Sequence, residues 1–150
     1  MLGCLSCGSP TRKEAQKLNN SLVTINDSVA SKDKALEDCI AQAVKDKDYA
    51  RVAPVRQKFE DYIDSCGREV KHMTDTGGSE QMRRAELAVL GWEKSMLHND
   101  LVLYEKMKPE AEASYISVLF QIVEKDRKKE ADLVAKFEEI RQEYAKKNGF

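Results

Sequence analysis

The segment Thr74–Ser79 reads TDTGGS and is the clearest break in the 150-residue chain. Two consecutive glycines carry a high entropic cost inside a helix, whereas in a turn they supply dihedral angles that other residues avoid. No strand-like segment precedes the pair and no Lys-Ser or Lys-Thr follows it, so the segment does not match a phosphate-binding loop. It therefore predicts a tight turn between two longer elements.

Before this turn, apolar residues recur at spacings of three and four, which is the period of an amphipathic helix. A first stripe lies between Thr11 and Asp46 and consists of Leu18, Leu22, Ile25, Val29, Leu36, Cys39 and Ala43. A second stripe consists of Val52, Val55, Phe59, Tyr62, Cys66, Val70 and Met73. Asp48 is the predicted N-cap of the second helix, and Pro54 predicts that this helix either kinks or begins there.

After the turn, Ser79 is the predicted cap of a third helix that has the broadest apolar face. Its stripe is Met82, Ala85, Val89, Trp92, Met96, Leu103 and Met107, flanked by Leu90, Leu97, Leu101 and Tyr104. Such a broad face predicts the most buried helix of the chain. Trp92 is the only tryptophan and lies on this stripe, so it is predicted to be a core residue.

Pro109 marks the start of a fourth helical segment, because the residue before a proline avoids helical dihedral angles. Its stripe consists of Ile116, Leu119 and Val123, and then of Leu133, Phe137, Ile140 and Tyr144. The interruption, residues 124–130 (EKDRKKE), predicts a helix that is solvated at its middle or a place where the bundle narrows. Asn148–Phe150 (NGF) is a helix stop signal.

Four amphipathic helices with short connections predict an all-α protein, an antiparallel up-down-up-down four-helix bundle with long helices. The alternative is an open coiled-coil hairpin that buries its remaining stripe by dimerising. The length corresponds to one domain, and we assign residues 12–150 to the bundle and residues 1–11 to a disordered tail or lipoprotein linker. No apolar run approaches the ~20 residues that cross a bilayer.

The charges of the chain are almost balanced, with 25 basic and 26 acidic residues. No net field therefore attracts nucleic acid, and we expect no nucleic-acid partner. Arg127, Lys128 and Lys129 alternate with acidic residues and are interpreted as a solvated face.

The chain offers no recognisable catalytic or metal-binding set. His72 and His98 are isolated and are predicted to be ordinary surface histidines. Glu69-Val-Lys-His72 has the Glu-x-x-His spacing of di-metal bundles, but such sites need a second copy. We therefore expect no metal, no cofactor and no enzymatic activity.

Cys39 and Cys66 lie on the stripes of adjacent predicted helices. If the hairpin bends just before Pro54, the two thiols come level and a disulfide is geometrically feasible. If the turn lies at residues 46–48, they are offset by more than a helical turn and cannot meet. The alternative is that both are small buried hydrophobic residues.

Cys4 and Cys7 precede any predicted helix, in the opening sequence MLGCLSCGSP. LSCGSP and, less closely, LGC are similar to the lipidation box of bacterial lipoproteins, which makes Cys7 and Cys4 lipidation candidates. A secretory signal needs a basic start and about 7 to 15 apolar residues, yet only six residues precede Cys7. The open alternatives are a signal truncated at its start, palmitoylation of a cytosolic protein, a zinc ligand pair, and a tail without a role.

Two segments carry a resemblance to a known family. LNNSLVTINDSV at 18–29 and KFEEIRQEYAKKNGF at 136–150 resemble the leptospiral-type family of uncharacterised bacterial surface proteins, which are helical lipoproteins of unknown function. The chain departs from that family at Leu18, where an aromatic residue is usual. The resemblance implies an exported, membrane-tethered helical bundle and supplies no catalytic or binding residues.

These observations predict a non-enzymatic lipoprotein of the bacterial cell envelope, held at the membrane by a lipid anchor, whose helical bundle is a binding or scaffold module. The alternative is a cytoplasmic helical adaptor or oligomerising coiled-coil protein, in which Cys4 and Cys7 have no role. This alternative predicts a homodimer.

Overall fold

The structure is a computed structural model that describes residues 11–150, and in this range it contains helices and no strand. The elements are α1 (Arg12–Asp46), a 3-10 turn (Tyr49–Arg51), α2 (Val52–His72), α3 (Glu80–Met96), a π-helical turn (Leu97–Leu101), α4 (Val102–Glu105) and α5 (Ala113–Lys147). Because α3, the π-helical turn and α4 follow one another without a gap, residues 11–150 form the four helices that the sequence predicts.

The beginning of α1 is fixed by a capping box. The Thr11 hydroxyl accepts a hydrogen bond from the Glu14 backbone N–H, and the Glu14 carboxylate accepts one from the Thr11 N–H at 2.8 Å. The prediction for the second helix was wrong at Asp48, whose side chain makes no capping hydrogen bond. Because α2 begins at Val52, Pro54 lies in its first turn, where a missing N–H costs little.

The predicted turn at Gly77 and Gly78 is confirmed, and the end of α5 closes over it. Both glycines have positive φ, at +62° and +75°. A Cβ on Gly77 would lie 2.3 Å from the side-chain oxygen of Asn148, whose amide nitrogen donates to the Gly77 carbonyl at 3.3 Å. Ser79 occupies the predicted N-cap position of α3 but makes no side-chain capping hydrogen bond, since its hydroxyl donates to Asp75 at 2.9 Å and thereby stabilises the turn.

The core is formed by the predicted apolar stripes, but the buried face of α3 is rotated relative to the prediction. Its buried apolar residues, with those of the following turns, are Met82, Val89, Leu90, Met96, Leu97, Leu101 and Tyr104, while Ala85, Trp92 and Leu103 are half-buried. Glu86 and Glu93 lie on the rotated face and are completely buried. The rotation therefore carries two acidic side chains into the core.

The helices contact one another in a ring: α3 packs on α2 and α5, and α1 packs on α2 and α5. At one end, the Tyr144 hydroxyl lies 2.8 Å from the Thr76 carbonyl and 3.5 Å from the Ala15 carbonyl. At the other end, the rings of Tyr104 and Phe120 lie 5.8 Å apart. Since a 35-residue helix is about 50 Å long, Thr11 and the start of α5 lie at opposite ends of the bundle.

No helix within residues 11–150 combines the length and apolarity needed to cross a membrane.

Candidate functional site

Three helices contribute charged side chains to one interior cluster, which we call the ionic layer: Asp33 and Glu37 of α1, Glu93 of α3, and Arg127 and Glu130 of α5. The Arg127 guanidinium donates to Asp33 and, at 3.0 Å, to Glu130. Its Nε lies 3.3 Å from the Glu37 carboxylate. Within this cluster the single guanidinium of Arg127 thus contacts several carboxyl groups.

Glu93 is the least satisfied member of the ionic layer. Its side chain is completely buried, neither carboxyl oxygen accepts a hydrogen bond, and Arg127 Nη1 lies 3.9 Å from Oε2. Burial raises the pKa of Glu93 far above its ordinary value, and the neighbouring Glu130 carboxylate raises it further. The buried Glu93 carboxyl is therefore neutral at pH 7.

The pKa of Asp33 is shifted less than that of Glu93, because the positive charge of Arg127 offsets part of the effect of burial. Burial raises the pKa of Asp33 to about 6, against the opposing charge and hydrogen bond of Arg127. Asp33 thus stays largely ionised at neutral pH and holds the guanidinium. The ionic layer therefore combines a charged pair, Asp33 and Arg127, with a neutral buried acid beside it.

A smaller polar contact, between Asn26 and Glu86, lies two helical turns away from the ionic layer, because seven residues make about two turns of a helix. Asn26, seven residues before Asp33, donates its amide to Glu86, seven residues before Glu93. Burial raises the pKa of Glu86 to about 7, although the Asn26 hydrogen bond opposes the shift. Two polar layers thus lie one above the other between α1 and α3.

These contacts correct the interpretation of Arg127 as part of a solvated face. Arg127 points inward with a side chain only 19 % exposed, and Glu130 is similarly covered. Lys128 is exposed, as predicted. The polar interruption of the α5 stripe thus marks the position of the ionic layer.

The prediction that Trp92 is a core residue was also wrong. Trp92 is half-buried where α3 meets α5, and its indole N–H donates to the Asp126 carbonyl at 3.1 Å. Lys129 Nζ lies 3.9 Å from the centre of its ring, a cation–π contact. Trp92 therefore covers the ionic layer from outside, and the next residue, Glu93, occupies the interior.

A second feature is an exposed apolar surface on the first turns of α5. Tyr115, Val118 and Ile122 are 47 %, 51 % and 38 % exposed, and their spacing of three and four places them on one side of the helix. We call these three residues the α5 face. It was missed in the sequence because Ile116, Leu119 and Val123, one position further on, form the stripe that packs on the bundle.

The predicted site residues have different outcomes. The lipidation candidates Cys4 and Cys7 lie outside the described residues. Cys39 and Cys66 are free thiols; Cys39 Sγ lies 3.6 Å from the Arg51 carbonyl and Cys66 is buried. Lys47, which has left-handed backbone angles, ends α1, so the hairpin turns at residues 46–48. A turn at this position is the one for which no disulfide between Cys39 and Cys66 is expected.

The two histidines are exposed, as predicted for surface residues. The nearest acidic contact of His98 is Glu60, 3.5 Å from its Nδ1. Among residues 11–150, no three histidine, cysteine or acidic side chains are grouped so that they could hold a metal ion.

No protein-family model, curated protein or solved structure matches the chain.

Proposed function

We propose that this chain is a non-enzymatic cell-envelope lipoprotein, tethered through Cys7 or Cys4, whose helical bundle acts as a binding or scaffold module. One observation carries the proposal: the α5 face lies at the end of the bundle opposite Thr11. A chain tethered by the segment before Thr11 would present this apolar surface at its far end. The resemblance of the segments 18–29 and 136–150 to leptospiral-type surface proteins supports the same function.

The module is proposed to be an antiparallel up-down-up-down bundle. The contacts at its two ends support this arrangement, since the start of α1, the turn at Gly77 and the end of α5 share one end. The rings of Tyr104 and Phe120 meet at the other end. In this topology the first turns of α5 are free to receive a helix from a protein partner.

Metabolic labelling with a clickable fatty acid tests the tether. The gene is expressed with the DNA upstream of Met1 in a bacterial host that processes lipoproteins, and label is followed in the membrane and soluble fractions. We expect Cys7→Ser to lose the label and to move to the soluble fraction, with Cys4→Ser testing the other candidate. Cys39→Ser is the matched control and should remain labelled. An unlabelled wild-type chain found wholly in the soluble fraction would overturn the proposal.

The second candidate is a cytoplasmic adaptor or oligomerising coiled-coil protein. The observation that favours it is the spacing of Tyr115, Val118, Ile122 and Lys125, which matches the alternating three and four of a coiled-coil seam. Under this proposal the chain is unlabelled and associates with itself in a concentration-dependent manner.

A further inference from the structure

Helix α5 is the least buried of the four helices. Three of its 35 residues are buried, namely Leu119, Phe137 and Tyr144, whereas α1 buries eight of 35 and α2 buries six of 21. Within residues 11–150, every exposed large apolar side chain lies on α5. Because buried apolar surface is the main term that holds a helix on a core, separating α5 costs less per residue than separating α1 or α2.

The middle of α5 is held by charged groups and not by apolar side chains. Arg127 and Glu130, its members of the ionic layer, lie between Val123 and Leu133 of the stripe that packs on the bundle. Burial of charged groups costs free energy that their mutual attraction only partly offsets. The ionic layer therefore adds little to the free energy that keeps α5 on the other helices.

Separation of α5 would change the surroundings of Glu93 above all. From α5, Glu93 faces the Arg127 guanidinium and the Glu130 carboxylate. From α1 it faces Asp33, while Glu37 contacts the same guanidinium at 3.3 Å. Without α5 these contacts are lost and water reaches the layer, so the pKa of Glu93 returns towards its ordinary value of 4.5.

The α2 side of α3 does not provide a substitute for these groups. There the ion pair of Asp64 with Lys94, 2.6 Å long, involves the residue next to Glu93, and both side chains of the pair are half-exposed. This pair does not depend on α5. The connection between α4 and α5, residues 106–112, contains no helix, so α5 can turn away without breaking a neighbouring helix.

We propose that α5 opens from the bundle as one unit while α1, α2 and α3 stay folded, and that Glu93 loses its proton in each opening. The proton passes from the Glu93 carboxyl group to water and leaves a solvated carboxylate. The opened state exposes Leu119 and Phe137, so it presents an apolar helix surface that the closed state hides. Opening is thus a conformational change of the fold that responds to pH.

The direction of the response follows from proton binding. Between pH 4.5 and the raised pKa of the closed state, the closed protein holds a proton on Glu93 that the opened protein has released. The ratio of opened to closed protein therefore rises about tenfold for each pH unit in this range. Asp33, with its pKa raised to about 6, adds only about a further twofold between pH 6 and pH 8.

Native-state amide hydrogen exchange, followed by NMR on the full 150-residue chain at pH 6, 7 and 8, tests the opening. Protection factors, which are corrected for the intrinsic exchange rate, are compared between α5 and the centre of α2, residues 59–70. We expect the α5 amides to be protected at least about tenfold less than the α2 amides at each pH. Their protection should fall about a hundredfold from pH 6 to pH 8.

The variant Glu93→Gln tests the assignment of the proton. Because Gln does not ionise, the protection of the α5 amides should change by less than about fivefold from pH 6 to pH 8. Glu37→Gln is the matched control, since Glu37 contacts the same arginine but is 45 % exposed, and it should keep the hundredfold change. Circular dichroism confirms that both variants fold.

Equal protection of the α5 and α2 amides would overturn the inference, because α5 would then separate only in global unfolding. This comparison uses the unmodified chain and stands even if a variant does not fold. Protection of α5 that is independent of pH, or a pH dependence that survives Glu93→Gln, would equally overturn it. Fatty-acid labelling is independent of all these outcomes, so the proposed envelope function is tested separately.

Discussion

Replacement of Glu93 by Gln is expected to stabilise the protein at neutral pH. Glu93 is completely buried and has no hydrogen-bond donor, so it folds as a neutral acid. Its ordinary pKa is 4.5, and taking up a proton at pH 7 therefore costs about 3.5 kcal/mol, from 2.5 pH units at about 1.4 kcal/mol each. Gln has the same shape and is always neutral. The variant should avoid most of this cost.

The sign of the pH dependence follows from proton binding. Between pH 4.5 and the raised folded pKa of Glu93, the folded state holds one proton that the unfolded state has lost. The free energy of unfolding due to this group is therefore highest at low pH and falls by about 1.4 kcal/mol per pH unit as the pH rises. The raised pKa values of Asp33, about 6, and Glu86, about 7, act in the same direction. The wild-type protein should thus be most stable near pH 5 and weaken towards pH 8.

Urea unfolding followed by circular dichroism at pH 5, 6, 7 and 8 measures this effect, with the m-value checked for constancy. The stability difference between Glu93→Gln and wild type should grow by more than about 2 kcal/mol from pH 5 to pH 7. Glu37→Gln is the matched control, because Glu37 contacts the same arginine but its side chain is 45 % exposed. A difference that does not grow with pH would refute the assignment of Glu93 as a buried neutral acid.

Three further changes test the packing by the same unfolding measurement. Arg127→Ala should lower the free energy of unfolding by about 3 to 5 kcal/mol, because it leaves buried carboxylates unpaired, whereas Arg84→Ala, with a side chain 76 % exposed, should change it by less than about 1 kcal/mol. Gly77→Ala should destabilise by more than about 1 kcal/mol through its positive φ and the contact with Asn148, while Gly67→Ala, inside α2 with open space around it, should stabilise by about 1 kcal/mol. Tyr144→Phe should cost about 1 kcal/mol through the lost hydrogen bond to the Thr76 carbonyl, and equal stability would contradict that bond's role.

Most ends of the helices could be predicted because they depend on neighbouring residues. Leu22, Ile25 and Val29 are buried at the spacing that the sequence shows, and the Gly77 turn needs only the conformational freedom of glycine. Ser79 takes the predicted N-cap position, but its hydroxyl bonds to Asp75 in the preceding loop and not to the helix. The π-helical turn at Leu97–Leu101 has no signal in the sequence that we could identify.

The ionic layer could not be predicted, because the partners of its residues are far apart in the chain. Trp92 is more hydrophobic than Glu93, and charged residues are rarely buried unless they are paired. Hydrophobicity alone therefore predicts that Trp92, and not Glu93, faces the core. The partners that allow burial come from other helices: Asn26 is 60 residues from Glu86, and Asp33 is 94 residues from Arg127. The sequence pattern that could have revealed these buried acids is the seven-residue spacing of Glu86 and Glu93 within an apolar stripe.

The position of Thr11 at the end of the bundle opposite the α5 face determines how far a tethered chain would reach. The start of α5 lies about 50 Å along the helix from its other end, and that end contacts the start of α1. A tether before Thr11 would therefore hold the α5 face about 40 Å away from the point of attachment.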